Sequence, residues 1–518
     1  MKITFLPSNK KVETNGEETL LEIARREHIP IAAQCSGQGL CKKCAVKVLE
    51  RMKSSVVLAC ETYPTSDVTV MIGELELEPR KCQLSEHRTL VCDGHLKHDN
   101  CYGIAVDLGT TSIVVMLVDM NTGKCMDSVS TENPQTSYGA DVIARIQYAT
   151  TKENQTQLHN IVIEAVNHMI QTLAMRQGIR LEIIYEVVVV GNTTMSHLWL
   201  NQSPCGLSKA PFTPSYEGIQ TLLAKEIGIC IHPTGTIITL PNIKGHVGGD
   251  ITADLLAIDI KQDGACLLVD IGTNGEIVLI KDQQYYACST AAGPAFEGAT
   301  LYQGMRAGEG AIETVVFEQQ KVKVSVIGNK QAKGICGSGI IDAIAEMLES
   351  GIIHENGYLR SESEAREAGV KEYLCKQLRE GETGREFVLC YGKMGQSDVV
   401  VTQSDIRSIQ LAKGAIMAGI KVLLEEAGLD LMDLKQVLLA GAFGSYLNQE
   451  NARQIGLLPK VSLEKIHTIG NAAGKGACMA LVSIKEREKA IRIAQDTKHI
   501  ELAGKEQFQV YYLDSMNF

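Results

Sequence analysis

The chain has 518 residues, 45% apolar and 21% charged, with a mean hydropathy of zero and a formal net charge of −11. That composition belongs to a globular protein and excludes a disordered, collagenous or membrane-embedded chain; no run approaches the roughly 18 apolar residues of a membrane span. The acidic balance excludes a general nucleic-acid binder, which needs clustered positive charge against phosphate.

In chain order, Lys2–Leu6 alternates as a strand and Asn15-Gly16 supplies a turn. Thr19-Leu20-Leu21-Glu22 has the capping-box spacing that opens a short helix running to about His28. A glycine-rich loop from Cys35 to Cys44 follows, then short strands at Ala45–Leu49 and Val68–Ile72, so residues 1–75 read as one compact domain. Residues 76–100 are charged and without period, and read as a linker. From Cys101, the segments Gly103–Asp107 and Ile113–Asp119 and a strand beyond Asn121-Thr122-Gly123 predict an antiparallel meander. Helices over about 139–150 and 155–176 and the apolar strand Val187–Val190 come next. The same order restarts at Cys266–Asp270, with strands Glu276–Ile280 and Tyr285–Cys288, helices over about 338–349 and 404–427, and strand Val437–Leu439. The recurrence predicts two related α/β lobes, 101–262 and 263–485, the second including a return helix, with 486–518 as a C-terminal tail.

Sixteen cysteines are the compositional oddity. The start of the chain lacks a secretory h-region and cleavage site, so a cytoplasmic setting with reduced thiols is expected. Metal or redox chemistry then fits better than a disulfide framework. One subset has ligand spacing: Cys35-x5-Cys41-x2-Cys44-x15-Cys60. Four thiolates on a tight loop and one return strand suit an iron–sulfur cluster, whose potential is tuned by backbone amides turned toward sulfur. A four-cysteine structural zinc site is the alternative, although only Cys41 and Cys44 have the short spacing such sites use twice. Cys82, Cys92 and Cys101 match no cluster pattern and read as linker thiols. The helix Thr-Leu-Leu-Glu-Ile-Ala-Arg-Arg and the loop Cys-Ser-Gly-Gln-Gly-Leu-Cys-Lys-Lys-Cys resemble the [2Fe–2S] ferredoxins over about 75 residues. The resemblance implies an α+β, β-grasp domain with Cys35, Cys41, Cys44 and Cys60 as ligands. The first spacing is x5 rather than the plant-type x4 and the last cysteine comes early, which singles out Cys60 as the ligand that departs most.

Asp107-Leu108-Gly109-Thr110-Thr111-Ser112 and Asp270-Ile271-Gly272-Thr273-Asn274-Gly275 share one design. A strand delivers an Asp to a small turn whose amides and hydroxyls can cradle phosphate, while the carboxylate holds Mg²⁺ through its waters. A single such turn reads equally as an ordinary hairpin; two, one per predicted lobe, point to a nucleotide cleft. The ordered set resembles the acetate and sugar kinase, heat-shock chaperone and actin superfamily over about 101–485. That resemblance implies a two-lobed actin-like ATPase fold with Asp107–Ser112 and Asp270–Gly275 as phosphate loops. Gly248–Ala253 and Asn471–Ala477 would be the connecting helices, and Ala440–Ser445, with Gly441 and Gly444, the adenosine loop. Gly337 and Ser338 open a helix and would offer further amides to phosphate. Asp107 and Asp270 are the expected metal- or water-orienting carboxylates. Asp250 is expected either to position the attacking water or to cap its helix. Lys413 either reaches ribose or lies on a solvated helix face, and Cys336 reads as a buried small residue.

A ferredoxin joined to such an ATPase implies an electron driven uphill, since transfer down a gradient needs no ATP. The full architecture resembles the reductive activators of corrinoid-dependent enzymes. The matching stretches are Gly-Ile-Ala-Val-Asp-Leu-Gly-Thr-Thr-Ser, Val-Gly-Asn-Thr-Thr-Met-Ser-His, Gly-Pro-Ala-Phe-Glu-Gly-Ala, Gly-Ile-Cys-Gly-Ser-Gly-Ile-Ile-Asp-Ala and Asp-Ile-Arg-Ser-Ile-Gln-Leu-Ala-Lys. The resemblance implies ATP-dependent delivery of one electron from a [2Fe–2S] cluster to an inactive Co(II) corrinoid, restoring Co(I). It also implies a corrinoid-protein partner, a low-potential electron donor, ATP and Mg, no nucleic acid or membrane partner, and a homodimer among the expected assemblies. Two other functions are compatible with the residues: a small-molecule kinase with a redox-sensing cap, and a chaperone-like ATP switch with structural zinc.

Overall fold

The computed structural model describes residues 1–6, 9–27, 29, 31, 33, 37, 44–50, 53–72, 88–94, 96, 100–259, 264–298, 300–318, 320–392, 397–444 and 446–518. The chain packs as two units: residues 1–258 with 472–495, and residues 259–471 with 496–518. Among the described residues, no helix is long and apolar enough to cross a membrane.

The first unit begins with strands β1 (Lys2–Leu6) and β2 (Lys10–Glu13), helix α1 (Leu20–Arg26), and strands β3 (Ala45–Glu50), β4 (Lys53–Leu58) and β5 (Val68–Met71). They form a mixed sheet in the order β2-β1-β5-β3-β4, the β-grasp arrangement expected of a ferredoxin-like domain. The capping box at α1 is present in both directions, with Glu22 N–H donating to Thr19 and Thr19 N–H to the Glu22 carboxylate. Leu20, Leu21, Ile23 and Ala24 of α1 are buried in one core with Ile3, Phe5, Val46 and Val70.

The unit continues with β6 (Tyr102–Leu108), β7 (Ser112–Asp119), β8 (Cys125–Glu132), α2 (Val142–Tyr148), α3 (Lys152–Gln177), β9 (Ile184–Val190), α4 (Thr193–Trp199), β10 (Gln220–Leu223), β11 (Thr236–Thr239) and α5 (Gly249–Ala257). The six strands take the order β10-β11-β9-β6-β7-β8. β6, β7 and β8 form the expected antiparallel meander, and β9 lies parallel to β6.

In the second unit, β12 (Ala265–Ile271), β13 (Gly275–Lys281) and β14 (Gln284–Thr290) repeat the meander. A hairpin of β15 (Ala311–Glu318) and β16 (Lys321–Val326) joins the short β17 (Gly334–Ile335) in a small sheet. Helices α6 (Gly337–Glu349), α7 (Glu362–Glu367) and α8 (Glu372–Cys375) follow. Strands β18 (Leu378–Gly381), β19 (Gly384–Cys390) and β20 (Val399–Thr402) form a second small sheet. Next come the long α9 (Gln403–Glu426), β21 (Leu434–Ala440), α10 (Gly441–Gly444), α11 (Gln449–Gln454) and β22 (Ile466–Gly470). β21 is parallel to β12 as β9 is to β6, so the two large sheets share a five-strand core, with β10 added at one edge of the first and β23 at the opposite edge of the second.

The chain then passes through α12 (Ala472–Val482) and α13 (Ile484–Asp496), which pack with the first unit up to residue 495. It ends in β23 (Thr497–His499) and α14 (Glu506–Asp514), which belong to the second. The segment expected as a tail is therefore built of regular elements.

Candidate functional site

In the first unit, β6 delivers Asp107 to its C-terminal end, beside Val190 of β9. The turn that follows is tight: a side chain on Gly109 would meet Ser112 O at 2.7 Å. Three successive carbonyls of this turn are held from one side. Asn133 Nδ2 donates to Gly109 O at 2.8 Å, Arg145 Nη2 donates to Thr110 O, and Asn133 N donates to Thr111 O at 2.9 Å. A trans peptide points its N–H opposite its C=O, so tethering the carbonyls inward turns the Thr110 and Thr111 amides the other way. Amides turned that way can donate to an anion. Asn133 and Arg145 are fully buried, and neither has a sequence signal.

The turn after β9 completes this half. Asn192 Nδ2 donates to Thr110 Oγ1 at 2.8 Å, and Gly191 O accepts from Asp250 N at 3.3 Å. Gly248 must be glycine here because a Cβ would overlap the Asn192 backbone. The first phosphate loop, the Val-Gly-Asn-Thr-Thr segment and the start of α5 thus meet as one cluster. Gly248, not Asp250, is the N-cap of α5. Asp250 sits half-buried in the first turn and accepts from the Ile251 amide at 2.9 Å, so the capping alternative is corrected.

In the second unit, Asp270 is the penultimate residue of β12, beside Ala440 of β21 and directly across from Glu276 of β13. Gly441 has φ +82°, and a Cβ there would stand 2.6 Å from Asp270 Oδ1. The adenosine-type loop is therefore in contact with the second phosphate loop. Thr273 Oγ1 donates to both oxygens of Glu297, at 3.0 and 3.2 Å, which brings the Gly-Pro-Ala-Phe-Glu stretch to the loop. Phe296 stacks on Phe443 with ring centroids 5.6 Å apart, and Gly337 at the head of α6 leaves only 2.6 Å for a side chain before Phe443. Asp270, Thr273, Glu297, Gly337 and Gly441 are thereby assembled.

Some expected donors are already committed. The Gly272 amide closes its own turn on Asn274 O at 3.0 Å. Gly275 packs toward Ile416 of α9, and its carbonyl accepts from Thr290 Oγ1 at 3.1 Å. Ser338 Oγ donates to Glu313 O at 2.9 Å, which leaves only its backbone for a ligand. Gly444 packs on Leu439, and Ser445 lies outside the described residues. Cys336 is 2% exposed with its sulfur 3.3 Å from Ile312 O, a buried small residue as expected.

The solvated-face reading of Lys413 is corrected. Its side chain is 1% exposed, its Nζ donates to Asn517 O, and the Phe518 ring centroid is 5.1 Å away. Burial, reinforced by Lys460 and Lys421, pushes its pKa down to about 8. An amine packed between α9 and the chain's last residues does not lie on a solvated face.

Of the four expected cluster ligands, Cys35 and Cys41 lie outside the described residues, as does Cys82. The other two are brought together: Cys44 Sγ and Cys60 Sγ are 3.2 Å apart, and Ala59 N donates to Cys44 O at 2.9 Å. This separation exceeds an S–S bond of about 2.05 Å and approaches the roughly 3.7 Å between two thiolates on one tetrahedral metal. Gly37 has φ +94° and approaches Cys60, with 3.8 Å between its would-be Cβ and Cys60 Cβ. Cys44 and Cys60, the expected ligand whose spacing departs most, thus stand close enough for both sulfurs to reach one thiolate-bound metal. Among the described residues alone, no group of three or more metal-ligating side chains forms.

Comparison with known proteins agrees with this geometry. Residues 3–65 match the 2Fe-2S iron-sulfur cluster binding domain, 102–263 the RACo middle region, and 264–518 the C-terminal domain of RACo, described as the ASKHA domain. The chain is 32% identical to the corrinoid activation enzyme RamQ of Eubacterium limosum, covering 100% of this chain and 99% of that protein. Those 591 aligned positions exceed the 518 residues here, so the relative carries segments this chain lacks. Identity to the [Co(II) methylated amine-specific corrinoid protein] reductase of Methanosarcina barkeri is 27%, over 80% of this chain and 77% of that one. Among solved structures, a reductive activator for a corrinoid, iron-sulfur protein superposes with a TM-score of 0.72 at 30% identity, covering 100% of this chain and 98% of its own.

Proposed function

The chain belongs to the family of reductive activators of corrinoid proteins, and from that premise we propose how its residues do the work. It is an ATP-dependent iron–sulfur oxidoreductase that gives one electron to the Co(II) corrinoid of a methyl-transfer protein and returns it to Co(I). Bound at Cys35, Cys41, Cys44 and Cys60, a [2Fe–2S] cluster supplies one-electron chemistry, near about −400 mV for plant-type ferredoxins. An external low-potential donor refills it, and the protein works in the cytoplasm.

For ATP we assign the amides of Gly109, Thr110, Thr111 and Ser112, and likewise the Asp270–Gly275, Gly337–Ser338 and Gly441–Gly444 segments. Asp107 and Asp270 orient Mg²⁺ and its waters, and Asp250 directs the attacking water. Asn133, Arg145 and Asn192 hold the first loop in its binding shape. Thr273 and Glu297 do the same for the second.

One observation carries the assignment. The Cys44–Cys60 pair occurs in the same chain as the tethered loop at Asp107 and the Asp270–Gly441 contact, which is the combination an electron carrier with a nucleotide site requires. The test uses the purified full chain with a Co(II) corrinoid protein, a strong reductant and MgATP. Iron and sulfide in equal amounts, cobalt-dependent stimulation of ATP hydrolysis and the Co(I) absorption band are expected. Cys41→Ala should lose cobalt reduction and keep basal hydrolysis; Asp270→Ala should lose hydrolysis and keep the cluster spectrum. Zinc without iron, or normal cobalt reduction by Cys41→Ala, overturns the assignment.

A further inference from the structure

Arg25 stands half-buried in the last turn of α1. On one side, its Nη1 is 3.7 Å from the point where a Gly37 side chain would begin, and Cys60 Cβ is 3.8 Å from that same point. On the other side, its Nη2 donates to Ser137 O at 2.8 Å and its guanidinium lies 5.8 Å from the Tyr138 ring centroid. Gln157 Nε2 donates to Arg25 O at 2.6 Å and to Tyr138 Oη at 3.0 Å, fixing the same corner from below.

Ser137 closes the short helical turn Pro134–Ser137, and the residues that open that turn hold the first phosphate loop. Asn133 caps it by accepting from Gln135 N, and also donates to Gly109 O. Gln135 Oε1 accepts from Arg145 Nη1 at 3.2 Å, and Arg145 in turn donates to Thr110 O. Asn133, Gln135 and Arg145 have no exposed surface, and Ser137 and Tyr138 almost none. A contiguous, packed set of side chains therefore runs from the neighbour of Cys60 to the carbonyls of the first phosphate loop.

Such a set transmits displacement because buried hydrogen-bonded groups move together or not at all. A phosphate drawn onto the Thr110 and Thr111 amides pulls on peptides whose carbonyls Arg145 and Asn133 hold. The guanidinium fork and ring face give Arg25 a directional grip that a point charge lacks. A fixed cation beside a cluster also favours the reduced form, which carries one more negative charge.

We propose that Arg25 is a positioning residue for electron delivery, linking the iron–sulfur loop to the first phosphate loop so that nucleotide bound there shifts the reduction equilibrium of the cluster. The proposal rests on the cluster and phosphate-loop assignments made under Proposed function.

The test is an anaerobic redox titration of the reconstituted full chain, followed by visible absorption and electron paramagnetic resonance. It is run with and without a non-hydrolysable MgATP analogue. In the native protein the analogue should change the reduction equilibrium constant by about threefold or more, about 28 mV for one electron. Arg25→Gln should disfavour reduction of the nucleotide-free cluster by a similar factor and abolish the response to nucleotide. Arg25→Lys should recover the first property but not the second, since it restores charge without the fork. A full nucleotide response in Arg25→Gln overturns the proposal, and so does a native cluster that ignores analogue it demonstrably binds.

Should Arg25→Gln fail to assemble a cluster, Gln157→Ala loosens the same corner away from the cysteines and should also lose the response. Hydrogen exchange at α1 amides in cluster-free protein reads the same link: nucleotide should slow it in the native chain and leave it unchanged in Gln157→Ala. Slowing in both, or in neither, overturns the proposal. Absent cobalt reduction with an intact nucleotide response would sink the functional assignment alone. Normal cobalt reduction without the response would sink only this inference.

Discussion

Gly441 shows how narrowly the second phosphate loop is built. Its φ of +82° is a left-handed conformation that costs an ordinary residue about 1–2 kcal/mol, and a methyl group there would press on the Asp270 carboxylate from 2.6 Å. Gly441→Ala is expected to fold with a modestly lowered melting temperature yet lose at least about tenfold in ATP turnover, because the carboxylate must move. Unchanged turnover would show that Asp270 does not orient the metal or water. His197 makes the equivalent case for stability. It is fully buried and stacked on Tyr216, its Nδ1 bonds Thr193 O at 2.7 Å, and its Nε2 accepts from Ser215 N at 2.9 Å. Only the neutral ring with hydrogen on Nδ1 satisfies both contacts, and desolvation pushes the pKa down to about 4. As pH falls below about 6.5 the unfolded chain takes up this proton first, so stability declines from there down to about 4 and levels off below. At pH 5 the loss is about 2 kcal/mol. Trp199, the single tryptophan, lies buried two residues on, so its fluorescence melt should shift down between pH 7 and 5 and His197→Gln should flatten the dependence.

Among the elements, α12 packs closely on α5. A side chain on Gly476 would overlap Ala253 O, so these helices pack backbone to backbone as the small-residue pattern Asn-Ala-Ala-Gly-Lys-Gly-Ala predicts. Gly476→Val forces them apart and is expected to destabilise the first unit by about 1–3 kcal/mol, measured by denaturant unfolding. A wild-type midpoint would mean the helices separate without cost. Lys413 shows where element-level reading fails. Its place on a helix ahead of the adenosine loop is visible in the sequence, but which face of α9 is covered depends on the C-terminal residues returning to it. That return joins positions about a hundred residues apart, and no periodicity within α9 encodes it.

For the whole molecule, the expected organisation and the observed packing divide the chain differently. Unit boundaries at 258/259, 471/472 and 495/496 make both units discontinuous, since α12 packs with the first and residues 496–518 return to the second. The part of the 76–100 segment that is described is also tied down: Arg88 bonds Leu256 O and pairs with Glu486, while Asp93 accepts from Ile484 N at 2.6 Å. The nucleotide-contacting residues proposed here all lie outside the ferredoxin-like sheet. Removing the cluster with a chelator should therefore leave basal ATP hydrolysis at saturating nucleotide within about threefold, because the link through Arg25 acts on binding equilibria and not on the hydrolytic groups, while abolishing cobalt reduction. Phosphate release from the cluster-free chain measures this directly, and a collapse of basal turnover would show that hydrolysis itself requires the cluster.

Chemistry carried by short strings was legible before any fold. The cysteine spacing, the two Asp-x-Gly-Thr turns and the capping box at Thr19 each depend on residues within a few positions of one another, and local geometry suffices to express them. The antiparallel meander in each large sheet follows from the same local grammar used twice, whereas the parallel pairing of β9 and β21 beside it is tertiary. What only the tertiary structure decided are the groups that hold those strings in shape: Asn133 and Arg145 behind the first loop, Glu297 against Thr273, Gly37 and Arg25 beside Cys60. Each acts across a gap of 22 to 35 residues, through buried hydrogen bonds and close backbone approach. The sequence imposes no spacing on such partners, because folding brings them together from any distance along the chain.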